Sequence, residues 1–525
     1  MHLWGMIAVA SMVYVKNPNG KTYVYENVTL WNKETKKYTH QRKCIGHLGE
    51  DGKEVLPNRK KGDATRKEHS STPRSVNECS VLTVGTSTLL EHVAQETGLL
   101  GILRRVFPTD WQAILTCAYF LVSEGKALCR AEKWVQRNRV PLNAPLSSQR
   151  ISELLLRIKP GMQQDFFRLW SASNSCDEYY AMDITSVSSY SDTIPFVRYG
   201  YNRDGEKLPQ INLIMLTGEK SHLPISYRVM PGSIKDVNAL KESLSRMELA
   251  KTGRLHIVTD KGFYSKENID ALYSSRYRFV VGVPFTVALA KDAVEEFRDT
   301  IRDHKNYCRV LDDDLYAATK SVKWGGHRCY LHVYYDSLKA EIANKRFDRE
   351  LLSCYEELMQ GKSNRIHTEY YKKFFFVKDT PKRGRKVEYN EDAIQKHKQN
   401  TLGWFVMITN DIKNPAQALT IYRQKDAVEK GFDDLKNDLD MKRLRIHSEA
   451  AMDGRLFLQF LAQILTARIK VVMNDHGWFK NHDLQEVLDE MKSIREVRIV
   501  GCRKSVITTL TKFQSEIVQL FQLNL

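Results

Sequence analysis

From Met12 to about Leu56 apolar and polar positions alternate, with β-branched and aromatic residues in TYVYENVTLW and KYTHQRKCIGHLG on either side of the polar turn NKETKK. That pattern predicts a small β module, with its first strand read from MVYVKNPNG. The apolar run Leu3 to Val15 has no lysine or arginine before it, so a signal peptide fits poorly and a translation start at Met12 fits as well as one at Met1. From Pro57 to Asn77 the chain is basic and polar, as in a linker or arm. Residues 1–80 form a β-rich module and basic linker, a candidate DNA-binding region. Their 14 basic and 8 acidic side chains suit DNA contact and a solvated surface alike.

Over residues 81–176 the period becomes helical. LLEHVAQETGLLGIL, DWQAILTCAYFLVSEG and SSQRISELLLRI each place apolar residues three and four apart, with Ser147 or Ser148 as N-cap of the last. A helix-turn-helix that reads DNA and plain helical packing both fit, and packing is the simpler expectation. Strands return in residues 177–284: YYAMDITSV, QINLIMLT and LPISYRVM, then a helix from about Asp236 to Met247. RLHIVTDKGF, a helix near Ser265 to Ser275 and the strand RFVVGV complete this part. Three strands, a helix and a further strand is the order of a ribonuclease H-like α+β core. Residues 285–413 interrupt that order. CYLHVYYD, KFFFVK and WFVMITN predict a β-rich insertion carrying a basic loop, with Lys382, Arg383, Arg385 and Lys386 as candidate phosphate contacts. The core resumes over residues 414–475 with a long helical pattern and the apolar helix RLFLQFLAQILTARIKVVM, and residues 476–525 form a mixed tail.

Composition adds a partner. Lysine and arginine total 80 against 63 acids, a formal charge of +17 spread over 525 residues, which favours a polyanion such as nucleic acid. The nine cysteines are odd in number, scattered and without a CxxC pair, so the expected setting is reduced and cytoplasmic. No membrane association is expected.

Three acidic positions carry the candidate chemistry. Asp183 lies between Met182 and Ile184 within a strand, where a carboxylate is costly unless paired or bound to a cation. Asp260 ends the apolar run HIVTD and precedes Lys261, Gly262 and Phe263, at the strand end where such folds place reactive groups. As an alternative, Asp260 would only cap the following turn. The third acid belongs to a helix started by Asn414 as N-cap and Pro415 at N1. Tyr422, Lys425, Glu429 and Lys436 fall at offsets 0, 3, 7 and 14, within an arc of roughly 60°. Ile421, Val428, Phe432, Leu435 and Leu439 make the neighbouring apolar stripe. Glu429, Asp426 and Asp433 are all candidates for the third acid on this reading. Three carboxylates from two strands and a helix suit Mg²⁺, and two such ions can activate a hydroxyl and stabilise a leaving 3′ oxygen. The tyrosine and lysines would then hold the DNA strand.

YRQKDAVEKGFDDLK resembles the Y-x2-R-x3-E-x6-K signature of DDE transposases of the bacterial insertion-sequence-four superfamily, with Tyr422, Glu429 and Lys436 matching and Lys425 in place of the arginine. Asp260 with Gly262 and Phe263 resembles the family's second-acid motif D-x-G-F, and AMDITSV its first. The 169 residues between Asp260 and Glu429 leave room for the family's insertion, and the resemblance spans about Asp177 to Met473. Lysine at 425 keeps the charge but loses bidentate phosphate geometry. The resemblance implies that Asp183, Asp260 and Glu429 are catalytic and bind two Mg²⁺ ions, with Mn²⁺ able to substitute. It implies binding of terminal inverted repeats, hydrolysis at the element ends and attack of the 3′-hydroxyl on target DNA. A homodimer in a synaptic complex is implied as well, nucleoid-associated when bound to double-stranded DNA. The competing readings are a nuclease or junction resolvase on the same core and a noncatalytic domesticated DNA-binding protein.

Overall fold

The computed structural model describes residues 8–17, 21–32, 37–49, 54–57, 79–174, 178–246, 255–381, 384–499 and 505–525. They fall into two compact units, residues 1–78 and 79–525. The first is the expected β module. Strands β1 (Ala8–Lys16), β2 (Thr22–Asn32), β3 (Lys37–Leu48) and β4 (Val55–Pro57) form one antiparallel sheet in chain order. β1 begins at Ala8 and runs in register from Ala8 opposite Leu30 to Lys16 opposite Thr22. Ala8 to Ser11 therefore belong to the strand, and a start at Met12 cuts into it. The basic arm lies outside the described residues.

The second unit is a mixed α/β structure around one large sheet. Its strands, in chain order after β5 (Cys79–Thr83), are β6 (Tyr179–Ser189), β7 (Gln210–Gly218), β8 (Pro224–Pro231), β9 (His256–Thr259) and β10 (Arg278–Val283). Further along come β11 (Tyr307–Val310), β12 (Asp313–Trp324), β13 (His327–Tyr335), β14 (Phe375–Thr380), β15 (Gly384–Tyr389), β16 (Trp404–Thr409) and β17 (Arg443–Leu444). The main sheet has the order β11-β12-β13-β16-β10-β9-β6-β7-β8, with β17 also pairing with β6. β6, β9 and β10 are parallel at its centre, flanked by antiparallel strands on both sides. Ile, Leu and Met, with Asn212 and Thr217, fill both faces of β7, which is buried throughout, as a strand covered by helices requires.

The residues expected to form a β-rich insertion divide differently. β11, β12, β13 and β16 extend the main sheet itself, whereas β14 and β15 form a separate hairpin. Between these strands run the helices Ala288–Phe297, Ser337–Met359, Thr368–Phe374 and Glu391–Thr401. The segment is thus as helical as it is β, and part of it is continuous with the core. KFFFVK misleads because its first two residues end a helix, with the strand beginning at Phe375.

Helices from residues 85 to 174 pack as a layer against the long helix Glu449–Asp475, which lies over the sheet. Phe166 meets Phe457 edge-on at 5.1 Å, and Phe460 meets Tyr227 of β8 at 5.3 Å. The Trp170 indole donates to the Pro224 carbonyl at 2.9 Å. Ser147 is the N-cap of Ser148–Arg157, accepting from the Arg150 amide at 3.3 Å. Glu449–Asp475 is long and apolar enough to cross a membrane, yet most of it is buried against protein. Its Arg455 is buried and paired with Asp440 at 3.0 Å, and its Gln459 and Gln463 are buried too, as suits a core helix. The tail is ordered as the helix Leu484–Ser493, β18 (Arg495–Ile499), β19 (Val506–Ile507) and the helix Lys512–Leu520. β18 pairs with β5, tying the tail to the start of the unit.

Candidate active site

The parallel pairing of β6 with β9 runs through Met182 opposite Thr259. One residue further on each strand come Asp183 and Asp260, so the two acids stand side by side on neighbouring strands, about 4.8 Å apart along the sheet. Asp183 is half-buried and accepts only one short hydrogen bond among those described, from the Ile184 amide at 2.8 Å. Burial pushes its carboxyl up to about 6, against the Ile184 hydrogen bond and the charge of Lys425; Glu429 adds to the rise and Arg203 opposes it. Asp260 makes no side-chain cap to the turn Lys261–Phe263 beyond it. It accepts instead from the Tyr422 hydroxyl at 2.5 Å. The capping alternative is therefore not what its carboxylate does.

Asn414 and Pro415 start the helix as expected, Asn414 accepting from the Gln417 amide at 3.1 Å. The helix is not continuous. Pro415–Gln424 stops at Lys425, Asp426–Asp433 comes next, and Asp434–Asp438 closes as a π-helical turn. Ile421, Val428, Phe432, Leu435 and Leu439 are all buried, so the apolar stripe holds across the breaks. The polar stripe divides. Tyr422 reaches Asp260, and the Lys425 ammonium bonds the Glu429 carboxylate. Burial works against the charge on Lys425, but Glu429, Asp260 and Asp183 together raise its pKa. Burial first, then Asp260, holds the Tyr422 hydroxyl well above the ordinary phenol range, with Glu429 and Asp183 adding to it. Asp183, Asp260, Tyr422, Lys425 and Glu429 thus form one electrostatic cluster.

Lys436 is bonded to a further acid, Asp204. Its ammonium sits 2.7 and 2.8 Å from the two carboxylate oxygens of Asp204. Asp426 and Asp433, the rival third acids, are exposed. Arg423, two residues before the lysine that replaces the signature arginine, does not take its place. It donates to the Val310 carbonyl at 2.8 Å and pairs with Asp313 at 2.9 Å. In the basic loop, Lys382 and Arg383 lie outside the described residues. Arg385 is paired with Asp379 at 2.8 Å and Lys386 with Glu388, so these two cations are already matched by acids of the same hairpin.

Sequence reasoning misses several neighbours. Arg203 pairs with Asp236 at 2.5 Å and places positive charge near Asp183. A cavity of about 590 Å³ opens beside Tyr422, with Lys261, Lys291 and Lys373 among apolar walls that include Phe285, Trp404 and Phe405. These lysines come from three separate segments, so no local motif announces them. Gly282 on β10 carries no local signal either, although a Cβ there would lie 3.1 Å from the Tyr422 hydroxyl and 3.0 Å from the Lys261 amide nitrogen. Gly282→Ala should push the hydroxyl off Asp260 and lower DNA cleavage by about 10–100-fold with the fold intact. Combining it with Tyr422→Phe should cost less than the two changes summed, because one of the two crowded atoms is gone while the Lys261 amide remains. An additive loss in the double variant would place the effect of Gly282 elsewhere.

Oxygen donors from three carboxylates, one of them half-buried with a raised pKa, are the set that a hard divalent cation satisfies. The donor types suit a metal by their chemistry, while the three carboxylates are not drawn together here as closely as the Cys354, Glu357 and His367 ligand atoms, which lie within 4.8 Å of one another. Lys425 supplies part of the positive charge that the acids demand.

The sequence profile of the transposase DDE domain matches residues 174–465, more than half the chain. The protein belongs to that family of DDE transposases, whose members generally use divalent metal ions. Among solved structures it is similar to a piggyBac transposase in a synaptic complex with hairpin DNA, at 11% identity over 77% of this chain and 70% of that one. The TM-score of that superposition is 0.34, too loose to add to the family assignment. No curated protein matches the chain.

Proposed function

We propose that this chain is the transposase of a bacterial insertion sequence, of the group marked by the Tyr-Arg-Glu-Lys signature, acting on a ribonuclease H-like core. It binds terminal inverted repeats as a homodimer in the bacterial cytoplasm, cleaves the element ends and joins the freed 3′-hydroxyls to target DNA. The observation that carries this reading is the side-by-side placement of Asp183 and Asp260 on parallel strands, with Glu429 acting electrostatically on Asp183 from a helix.

Asp183, Asp260 and Glu429 would hold Mg²⁺, two ions in the reading we favour, which when bound supply Lewis-acid activation of the attacking hydroxyl and charge stabilisation at the leaving oxygen. The Tyr422 hydroxyl fixes one oxygen of Asp260, and no described hydrogen bond takes the other. Lys425, bonded to Glu429 here, would be the cation to meet a scissile phosphate if that carboxylate held a metal instead. Lys261, Lys291 and Lys373 line the adjoining cavity with charge for the DNA backbone.

A supercoiled plasmid carrying paired terminal repeats, incubated with the protein in Mg²⁺ and a target plasmid, tests the proposal. Cleavage at both ends and then joined products are expected. Cleavage without joining would make the protein a nuclease on the same core.

A further inference from the structure

The hairpin β14–β15 and the helices beside it have a core of their own, apart from the main one. Phe347, Leu351, Cys354, Leu358, Phe374, Phe375, Val387 and Ile394 are its buried residues. So few apolar side chains stabilise a small subdomain only weakly, and small subdomains commonly rely on a staple. At one edge of this core three different donors converge. Cys354 and Glu357 lie three residues apart on Ser337–Met359, on one face of that helix. His367 ends the short 3₁₀ turn Arg365–His367, just before Thr368–Phe374. One ligand atom from each lies within 4.8 Å of the other two.

We propose that Cys354, Glu357 and His367 bind a zinc ion that ties the helix Ser337–Met359 to the turn before Thr368–Phe374. A tetrahedral zinc holds sulfur at about 2.3 Å and nitrogen or oxygen at about 2.0–2.2 Å, so its ligand atoms stand roughly 3.3–3.8 Å apart. Donor pairs within 4.8 Å need to close by about 1.5 Å at most to reach that spacing, and the His367 Nδ1–Glu357 Oε2 pair, now at 2.8 Å, opens by roughly 0.5 Å. A thiol, an imidazole and a carboxylate together favour zinc over magnesium, unlike the all-oxygen cluster at Asp183. The arrangement also has an entry path. Cys354 is fully buried, whereas the side chains of His367 and Glu357 are 26% and 24% exposed, so an ion enters from their side and water completes the fourth position. His367 Nδ1 and Glu357 Oε2 already share a hydrogen bond of 2.8 Å, and the Tyr371 hydroxyl donates to the same oxygen. Once zinc takes the imidazole nitrogen, the tyrosine remains to orient the carboxylate as an outer partner. The proposal does not rest on the transposase reading, and its test does not read activity.

The full-length protein, stripped with a chelator and held in saturating Mg²⁺ to occupy the acid cluster, is titrated with Zn²⁺ and separately with Co²⁺. Wild type should retain about one zinc per chain after gel filtration, and cobalt should give a thiolate-to-metal band in the near ultraviolet. Cys354→Ser should abolish the band, and Cys354→Ser and His367→Gln should each weaken zinc binding by roughly a hundredfold. No cobalt band in wild type, or a band undiminished in Cys354→Ser, overturns the proposal. Should Cys354→Ser fold poorly, His367→Gln decides it, because that side chain is partly exposed: unchanged zinc affinity there overturns the site as well.

Discussion

Asp183→Ala, Asp260→Ala and Glu429→Ala should each reduce cleavage of end-containing DNA by on the order of a thousandfold or more in Mg²⁺, while gel-shift affinity for the ends changes little. The separation is expected because carboxylates that hold a cation act on the reacting phosphate, whereas the affinity for DNA comes from cations spread along its backbone. Glu429→Ala is the most informative of the three. Glu429 is exposed and bonded to Lys425, so its removal leaves the fold intact but frees a lysine beside two aspartates. Lys425 would then pair with Asp183 and Asp260, whose charges already raise its pKa, and end binding should hold or tighten slightly. Near-normal cleavage by this variant would move the third acid to Asp426 or Asp433.

The two aspartates are legible in the sequence because each breaks a local rule. Asp183 interrupts an apolar strand and Asp260 closes one, and the parallel pairing of β6 with β9 sets the two side by side. Capping residues are equally legible, since Asn414 and Ser147 each accept a hydrogen bond from the amide three residues on. The third motif is legible only in part. Helical periodicity assumes an unbroken helix, and nothing in YRQKDAVEKGFDDLK marks a stop at Lys425 or a π turn after Asp433. The apolar stripe survives because burial tolerates a modest rotation, and Tyr422, Lys425 and Glu429 of the polar stripe stay together around the aspartates, while Lys436 is bonded to Asp204. Lys436 finds Asp204, which lies 232 residues earlier in the chain, and such a pairing leaves no trace in local spacing.

The same distinction explains the insertion. CYLHVYYD and WFVMITN do carry strands, but whether a strand joins the main sheet or forms its own hairpin depends on which edge is free to accept it. β16 fits between β10 and β13, and that choice is made by tertiary pairing rather than by the sequence of either strand. The basic loop shows the converse. Four cations within five residues look like a phosphate-binding patch, yet Asp379 and Glu388 lie across and along the hairpin and match Arg385 and Lys386. Charge runs read along the chain overlook acids that the pairing of strands brings opposite.

Asp183→Asn should give a protein that is inactive and, without metal, more stable than wild type. The raised pKa of Asp183, about 6 against an ordinary 3.8, means that the folded chain holds this proton more tightly than the unfolded one. The stability that this provides is fully present below the ordinary value and is lost as pH rises through about 6, where the half-buried carboxylate ionises. Above that pH the charge is a liability of up to about 3 kcal/mol, from a little over two units at 1.36 kcal/mol each. Asparagine keeps the shape and the acceptor for the Ile184 amide and never ionises. In chelator at pH 7.5 its unfolding free energy should exceed that of wild type by about 1–3 kcal/mol, and the gain should shrink towards zero near pH 4 as the wild-type aspartate takes up its proton. Adding Mg²⁺ should reverse the order, because an ion that binds only the folded wild type stabilises it in proportion to RT ln(1 + [Mg²⁺]/Kd), and the variant has lost a ligand. Denaturant titrations of both proteins at pH 4.5 and 7.5, with and without Mg²⁺, read all four values. A variant less stable than wild type at pH 7.5 in chelator would mean that Lys425 and Arg203 already compensate the ionised carboxylate, and that no cation is needed to hold it there.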